Sequence, residues 1–146
     1  MSGYRPSHMG LCVSDLERSL RFFCDGLGFE RAERFEMDST AVPGLDQSLE
    51  VPGHVAIVSQ FIQNETMRIE LLHFVEPGVG GVPSQRRNQV GLTHLSFYVD
   101  DVDTAALHLV ACGATVLDDT RTSPGIELLF LADPDGVRVE LMAIPA

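Results

Sequence analysis

The sequence predicts an α+β fold made of two βαβββ modules. Three observations carry this expectation: a repeated strand–helix opening, a repeated glutamate strand, and the same order of elements between them. "HMGLCVSDLERSLRFFCDGLGFERAE", from His8, aligns with "HLSFYVDDVDTAALHLVACGATVLDD", from His94. Each copy runs through a β-type stretch to an aspartate (Asp15, Asp101), enters a helical segment and reaches a glycine near the helix end (Gly28, Gly113). "MRIELLHF" (67–74) and "VRVELMAI" (137–144) then close the two copies, each with one glutamate, Glu70 or Glu140, among apolar residues. Self-similarity of this kind marks duplicated structural units.

The elements follow in chain order. "SHMGLCV" alternates apolar residues and leads to an acidic residue, Asp15, suited to a helix N-cap. In "DLERSLRFFCDGLG", Leu16, Leu20, Phe23 and Leu27 fall at helical spacing, and glycines end the helix. The separation from His8 to Glu70 is 62 residues, against 46 from His94 to Glu140, and the irregular "MDSTAVPGLDQSLEVPG" (37–53) accounts for the difference. "HVAIVSQFI" supplies a strand before "MRIELLHF". The Gly-rich "EPGVGGVPSQRRNQVG" joins the halves. "LTHLSFYV", a helix through Val102, Ala106, Leu109 and Val110, and the strand "GIELLFLAD" repeat the order. "DPDG" (133–136) is a turn with Pro second and Gly fourth. The expected organisation is one domain over 1–146, with module one at about 5–75, a linker at about 76–90 and module two at about 91–144.

Composition narrows the function. Ten basic against 21 acidic residues leave a formal charge of −11 across 146 residues. That balance opposes binding to nucleic acid or to an anionic membrane and leaves a small-molecule ligand open. No apolar run is long enough to span a membrane, and the N-terminal stretch lacks the apolar core of a signal peptide. The cysteines (Cys12, Cys24, Cys112) are odd in number and have no CxxC spacing. They read as reduced thiols of a cytoplasmic protein.

Side chains alternate faces along a strand. Met9, Leu11 and Val13 therefore oppose His8, Gly10 and Cys12, and Leu95, Phe97 and Val99 oppose His94, Ser96 and Tyr98. Met67, Ile69 and Leu71 oppose Arg68, Glu70 and Leu72; Val137, Val139 and Leu141 oppose Arg138, Glu140 and Met142. Each strand has one strongly apolar face for a helix, and the other carries a histidine or a glutamate. If the sheet curls with helices outside, His8, Glu70, His94 and Glu140 point into one concavity. Two neighbouring carboxylates in such a place would not both stay ionised without a cation. Two imidazoles and two carboxylates neutralise a divalent ion and leave positions for substrate. Any one of the four taken alone would be an ordinary core or surface residue. His54, His73 and His108 lack such matching and read as structural or surface residues.

Those stretches, together with "GLTHLSFYVDDVD" and "LFLADPDGVRVELM", resemble the vicinal oxygen chelate superfamily, which includes glyoxalase I, methylmalonyl-CoA epimerase, extradiol dioxygenases and bleomycin-resistance proteins. The resemblance spans essentially the whole chain. It implies paired modules forming a cupped mixed sheet, assembly as a homodimer, and one divalent metal ion (Zn, Ni, Co, Mn or Mg) held by His8, Glu70, His94 and Glu140. The fourth ligand at Glu70 places the chain nearest glyoxalase I and methylmalonyl-CoA epimerase, although "RTSPGIELLFL" and "DPDG" replace segments usual in those enzymes.

The implied chemistry is that of an isomerase, epimerase or lyase acting on a small molecule with a carbonyl or vicinal oxygens. Proton loss beside the carbonyl gives an enediolate or enolate, with Glu140 and Glu70 as ligands and acid–base groups at once. The competing readings are a binding or resistance protein without catalysis and a non-haem iron ring-cleaving dioxygenase. Glu50 reads as a surface carboxylate near the position of a second catalytic glutamate in the epimerase. Arg86 and Arg87 read as solvated linker arginines, with a substrate carboxylate or phosphate as the alternative partner. Ser96 and Tyr98, on the face of His94, either touch substrate or fill the concavity.

Overall fold

The computed structural model describes residues 3–122 and 125–144; Ser123 and Pro124 of the "RTSPG" stretch lie outside the described residues. The first half contains β1 (Met9–Cys12), α1 (Leu16–Leu20) running into a π-helical turn (Arg21–Gly26), β2 (Glu30–Asp38), the short α2 (Leu45–Ser48), β3 (Ala56–Gln63) and β4 (Arg68–Glu76). The second contains β5 (Leu95–Tyr98), α3 (Val102–Ala111), β6 (Thr115–Thr122), β7 (Glu127–Ala132) and β8 (Arg138–Ala143). They form two four-stranded mixed sheets of identical topology, β1-β4-β3-β2 and β5-β8-β7-β6. This is the expected α+β class. Among the described residues, no helix is long and apolar enough to cross a membrane.

Two compact units emerge, one of residues 1–16 and 28–80, the other of 17–27 and 81–146. Most of the first helix and its π turn thus belong with the second sheet. Gly26 shows why: a Cβ there would stand 3.0 Å from Leu109 Cδ2 and 3.3 Å from Cys112 Cβ, so glycine lets the turn approach α3 more closely than a larger residue would without the neighbours giving way. His108 accompanies the contact, its Nε2 lying 2.9 Å from the Asp25 carbonyl oxygen, and Arg18 pairs with Asp135 at 3.0 Å. The π turn also departs from simple helical spacing. It buries the consecutive Phe22 and Phe23 completely, ring edge to ring face at 5.1 Å, where a 3.6-residue period would bury one. In α3, Asp101 caps the first turn by accepting from the Thr104 amide at 2.7 Å. Val102, Ala106 and Leu109 are buried, whereas Val110 faces solvent.

Strand parity follows the alternation. Ile69 and Leu71 in β4, and Val139 and Leu141 in β8, are fully buried on one face. The insertion in the first half is better ordered than its irregular sequence suggests. Leu45 packs with Val55 and Ile57, and Met37, Leu49, Val51, Leu72 and Phe74 close around them. Leu72 and Phe74 alternate with the buried face and share the face of Glu70, so the insertion covers one end of that face with apolar side chains.

The turn before β8 holds a buried acid. Asp133 Oδ1 accepts from the amides of Asp135 (2.9 Å) and Val137 (2.8 Å), which shapes the turn, while its buried Oδ2 has no partner among the described residues. Burial pushes this carboxyl up to about 6, against the opposing pull of those amides. Because the folded state holds the proton more tightly than the unfolded chain, ionised Asp133 destabilises the fold above pH 6, and that cost is relieved as pH falls toward 4. Asp133→Asn keeps the Oδ1 acceptor and removes the charge. It is expected to flatten the dependence of stability on pH between about 4 and 7, as read from denaturant melts, because no proton is then linked to folding at this position. An unchanged pH dependence in the variant would reject the buried charge as a cost.

Candidate metal and substrate site

The site grows from the parallel pairing of the first and last strands of each sheet. Gly10 lies beside Glu70 in the β1–β4 register, and Ser96 beside Glu140 in the β5–β8 register. His8 and His94 sit two residues before Gly10 and Ser96, on the same faces, so each imidazole reaches the glutamate across the ladder. His8 Nε2 stands 3.2 Å from Glu70 Oε2, and His94 Nε2 stands 3.5 Å from Glu140 Oε2. The four expected ligands are therefore gathered as two equivalent pairs, one in each unit. Among the described residues, no group of three or more His, Cys, Asp or Glu side chains is placed to hold a metal ion.

The other nitrogen of each histidine is also engaged. Ser7 Oγ lies 2.8 Å from His8 Nδ1, and Thr93 Oγ1 lies 2.6 Å from His94 Nδ1. With Nδ1–H donating to the hydroxyl, Nε2 presents a lone pair toward a carboxylate oxygen. Two facing acceptors are favourable only with a proton or a cation between them. Both separations exceed the roughly 2.7–2.9 Å of a strong charge-assisted hydrogen bond. They match the roughly 3–3.5 Å between two ligand atoms on one divalent ion. Each pair thus offers two donors of the kind a divalent ion takes, and the neighbouring hydroxyl is the type of outer contact that orients a ligating imidazole.

An aromatic ring supports each pair. Phe61 is the register partner of Glu70, and Phe130 that of Glu140. Their rings meet the His8 and His94 imidazoles edge to face at 5.1 and 5.2 Å. The signal for these supporting residues was present as a repeat: a hydroxyl residue precedes both histidines in "SH" and "TH". The two phenylalanines carry no such local mark, because only strand register brings them to the glutamates.

The halves then diverge. Ser96 Oγ donates to Glu140 Oε2 at 2.6 Å, holding a buried carboxylate in one orientation. Gly10 offers no side chain at the equivalent place, and the space beside it is open. Arg68 lies over the Phe61 ring at 4.3 Å and pairs with Glu33, whose carboxyl that bond holds below its usual range. A cavity of about 440 Å³ reaches His8 and Arg68 in the first unit. A second, of about 540 Å³, is lined in the other unit by Phe130, Arg138 and Arg87.

The remaining candidates fall outside the pairs. His73 Nδ1 lies 3.0 Å from the Val13 carbonyl oxygen, and His54 Nδ1 lies 3.0 Å from Ser39 Oγ. Both serve the fold, as does His108. Glu50 is an exposed residue with φ of 56° just past α2, and Arg86 is exposed in the linker. Tyr98 is exposed on the face of His94. Arg87 is half-buried, unlike the solvated residue expected from the linker sequence.

Comparison with known proteins follows this geometry. A sequence profile of the Glyoxalase/Bleomycin resistance protein/Dioxygenase superfamily matches residues 5–141. A 2-epi-5-epi-valiolone epimerase from Actinomyces sp is 29% identical over 151 aligned positions, covering 95% of this chain and 79% of that protein. The structure of a glyoxalase family protein from Bacillus cereus matches with a TM-score of 0.81 at 19% identity, covering 100% of this chain and 97% of that one. The fosfomycin resistance protein FosX from Listeria monocytogenes, complexed with Mn(II) and sulfate, matches with a TM-score of 0.61 at 18% identity, covering 99% and 95%.

If the carboxylates are ligands, Glu70→Gln should retain part of the metal affinity, since an amide oxygen still coordinates, whereas Glu70→Leu should abolish it. Chelation should lower the melting temperature of wild type, and a divalent ion should restore it. Titration calorimetry reads the first and thermal melts the second. Equal affinity in wild type and Glu70→Leu would remove Glu70 from the ligand set.

Proposed function

This chain belongs to the glyoxalase/bleomycin resistance protein/dioxygenase superfamily, and on that premise we propose that it is a divalent-metal-dependent isomerase, epimerase or lyase that moves a proton next to a substrate carbonyl. The observation that carries the reading is the duplicated His–Glu pair, with each Nδ1 beside a hydroxyl and each Nε2 turned to a carboxylate. His8, Glu70, His94 and Glu140 together hold one ion, within one chain or across a homodimer. The ligand set favours the glyoxalase I and methylmalonyl-CoA epimerase branch. A relative named as an epimerase supports the epimerisation arm.

When bound, a divalent ion supplies Lewis acidity that stabilises negative charge on the carbonyl oxygen as the adjacent carbon loses its proton. The chain's own residues do the rest. Glu140 and Glu70 are the proton-transfer groups, each able to accept from one face of the substrate carbon and return the proton to another. Ser96 fixes the orientation of Glu140, and open space beside Gly10 leaves Glu70 room to turn. Phe61 and Phe130 hold the imidazoles by their edges, and the apolar insertion walls one end of the Glu70 face. A pocket that merely sequestered a drug would have no use for a duplicated carboxylate pair, which weighs against a binding function alone.

The test is a deuterium wash-in screen over 2-oxo acids, acyl thioesters and hemithioacetals in D₂O, alongside metal analysis of the purified protein. Wild type should carry a divalent metal and exchange the proton beside the carbonyl of its substrate. Glu140→Gln should lose exchange by at least about 100-fold while metal occupancy falls far less, because an amide coordinates but accepts no proton. Metal-loaded Glu140→Gln and Glu70→Gln variants that both exchange at the wild-type rate would assign proton transfer to another group.

A further inference from the structure

All ten basic side chains of this acidic protein are arginines, and two of them stand apart. Arg87 and Arg138 are half-buried, and neither forms an ion pair among the described residues. Arg87 donates to the carbonyl oxygens of Thr93 and Ser84, and Arg138 Nη1 donates to that of Gly136 at 3.0 Å. Main-chain carbonyls hold both guanidiniums in place without neutralising either. The two are close enough that Arg138's charge, added to the larger effect of burial, pushes the Arg87 guanidinium down.

The repeat makes this arrangement informative. Arg68 occupies the place of Arg138 in the equivalent "R-β-branched-E-L" strand, two residues before its glutamate, and Glu33 neutralises it. In the second half no carboxylate pairs with Arg138 among the described residues, and another cation is added beside it. Neither arginine is ion-paired among the described residues, although Asp118 and Asp119 line the same cavity; two like charges beside each other are unfavourable in the free protein, and an anion bound between them relieves that cost. Most of their N–H donors have no partner among the described residues, in a fork geometry suited to oxyanions.

Both arginines line the 540 Å³ cavity with Gln85, Thr120 and Phe130. Arg87's guanidinium lies 6.0 Å from the centre of the Phe130 ring, which also packs against His94. Arg87 further donates to the carbonyl of Thr93, whose hydroxyl contacts the His94 ring. The cavity therefore adjoins one of the two His–Glu pairs through the Phe130 ring, and Arg87 in its lining reaches Thr93, the hydroxyl neighbour of His94. We propose that the cavity binds an oxyanion group, a carboxylate or phosphate carried by the substrate, between Arg87 and Arg138. Asp118 and Asp119 line the cavity from β6 and suit hydroxyl groups elsewhere on the same ligand. The substrate class is accordingly a hydroxylated carboxylate or phosphate. The assignment rests on the proposed function only in giving the anion to the substrate.

Titration calorimetry on chelator-treated protein, at constant ionic strength, tests this with inorganic phosphate and malonate as probes. Wild type should bind at least one of them. Arg138→Met and Arg87→Lys should each weaken binding by roughly tenfold or more. Arg86→Met, which removes the exposed neighbouring charge, should leave it unchanged. Binding of phosphate alone identifies a phosphate ligand, and binding of malonate alone a carboxylate. No binding of either probe to wild type, or equal losses in the Arg86 and Arg138 variants, would overturn the proposal. His94→Ala should lose metal yet keep the anion. A failed metal reading thus leaves the cavity standing, and a failed anion reading leaves the metal pairs standing. Circular dichroism of each variant confirms that a lost signal is not lost folding.

Discussion

Parallel pairing of β1 with β4, and of β5 with β8, is the constraint on which the candidate site depends. A parallel neighbour cannot be reached by a tight hairpin, so each half must spend a helix and two further strands before returning to its first strand. That return sets a histidine from the beginning of the module beside a glutamate from its end. A one-residue slip of register would send the glutamate to the apolar face, where Ile69, Leu71, Val139 and Leu141 are fully buried. Core packing therefore enforces the register, and the register builds the His–Glu pair.

Once duplicated, the two pairs were free to diverge in what surrounds them. Ser96 locks Glu140 where Gly10 leaves the space beside Glu70 open, so equivalent carboxylates are held to different degrees. Arg68 is neutralised by Glu33, while Arg138 keeps its charge and is joined by Arg87 from the linker. The first half alone carries the apolar cluster around Leu45 that covers one end of the Glu70 face. The pairs themselves suit a function needing two equivalent donors. Their surroundings differ in charge, apolar cover and room.

The strong negative charge of the chain sharpens the meaning of its few half-buried cations. Acidic residues on an exposed surface disfavour anionic partners at long range, but within a cavity the local guanidiniums dominate because the intervening solvent is reduced. A net acidic chain and a local pair of guanidiniums in one cavity are therefore compatible.

The order of elements, the duplicated βαβββ pattern and the face carrying each histidine and glutamate were legible in the sequence, because they rest on local rules: alternation along a strand, capping at a helix start, and repetition. His8, Glu70, His94 and Glu140 could be named from the repeat, strand parity and charge together, and a mark of Ser7 and Thr93 lay unread in "SH" and "TH". The consecutive buried Phe22 and Phe23 were not, because a π turn shifts the helical phase only when packing rewards it. The association of residues 17–27 with the second unit was also hidden, since it turns on the close approach of Gly26 to Leu109 and Cys112. Phe61, Phe130 and the pairing of Arg87 with Arg138 depend on which strands lie side by side and on a linker folding back to Thr93. Such contacts join residues far apart in the chain, and no local pattern encodes them. The amino-acid order determined which groups could serve as ligands; tertiary packing decided which charges were neutralised, as Arg68 is by Glu33, and which, as Arg87 and Arg138, have no ion pair among the described residues.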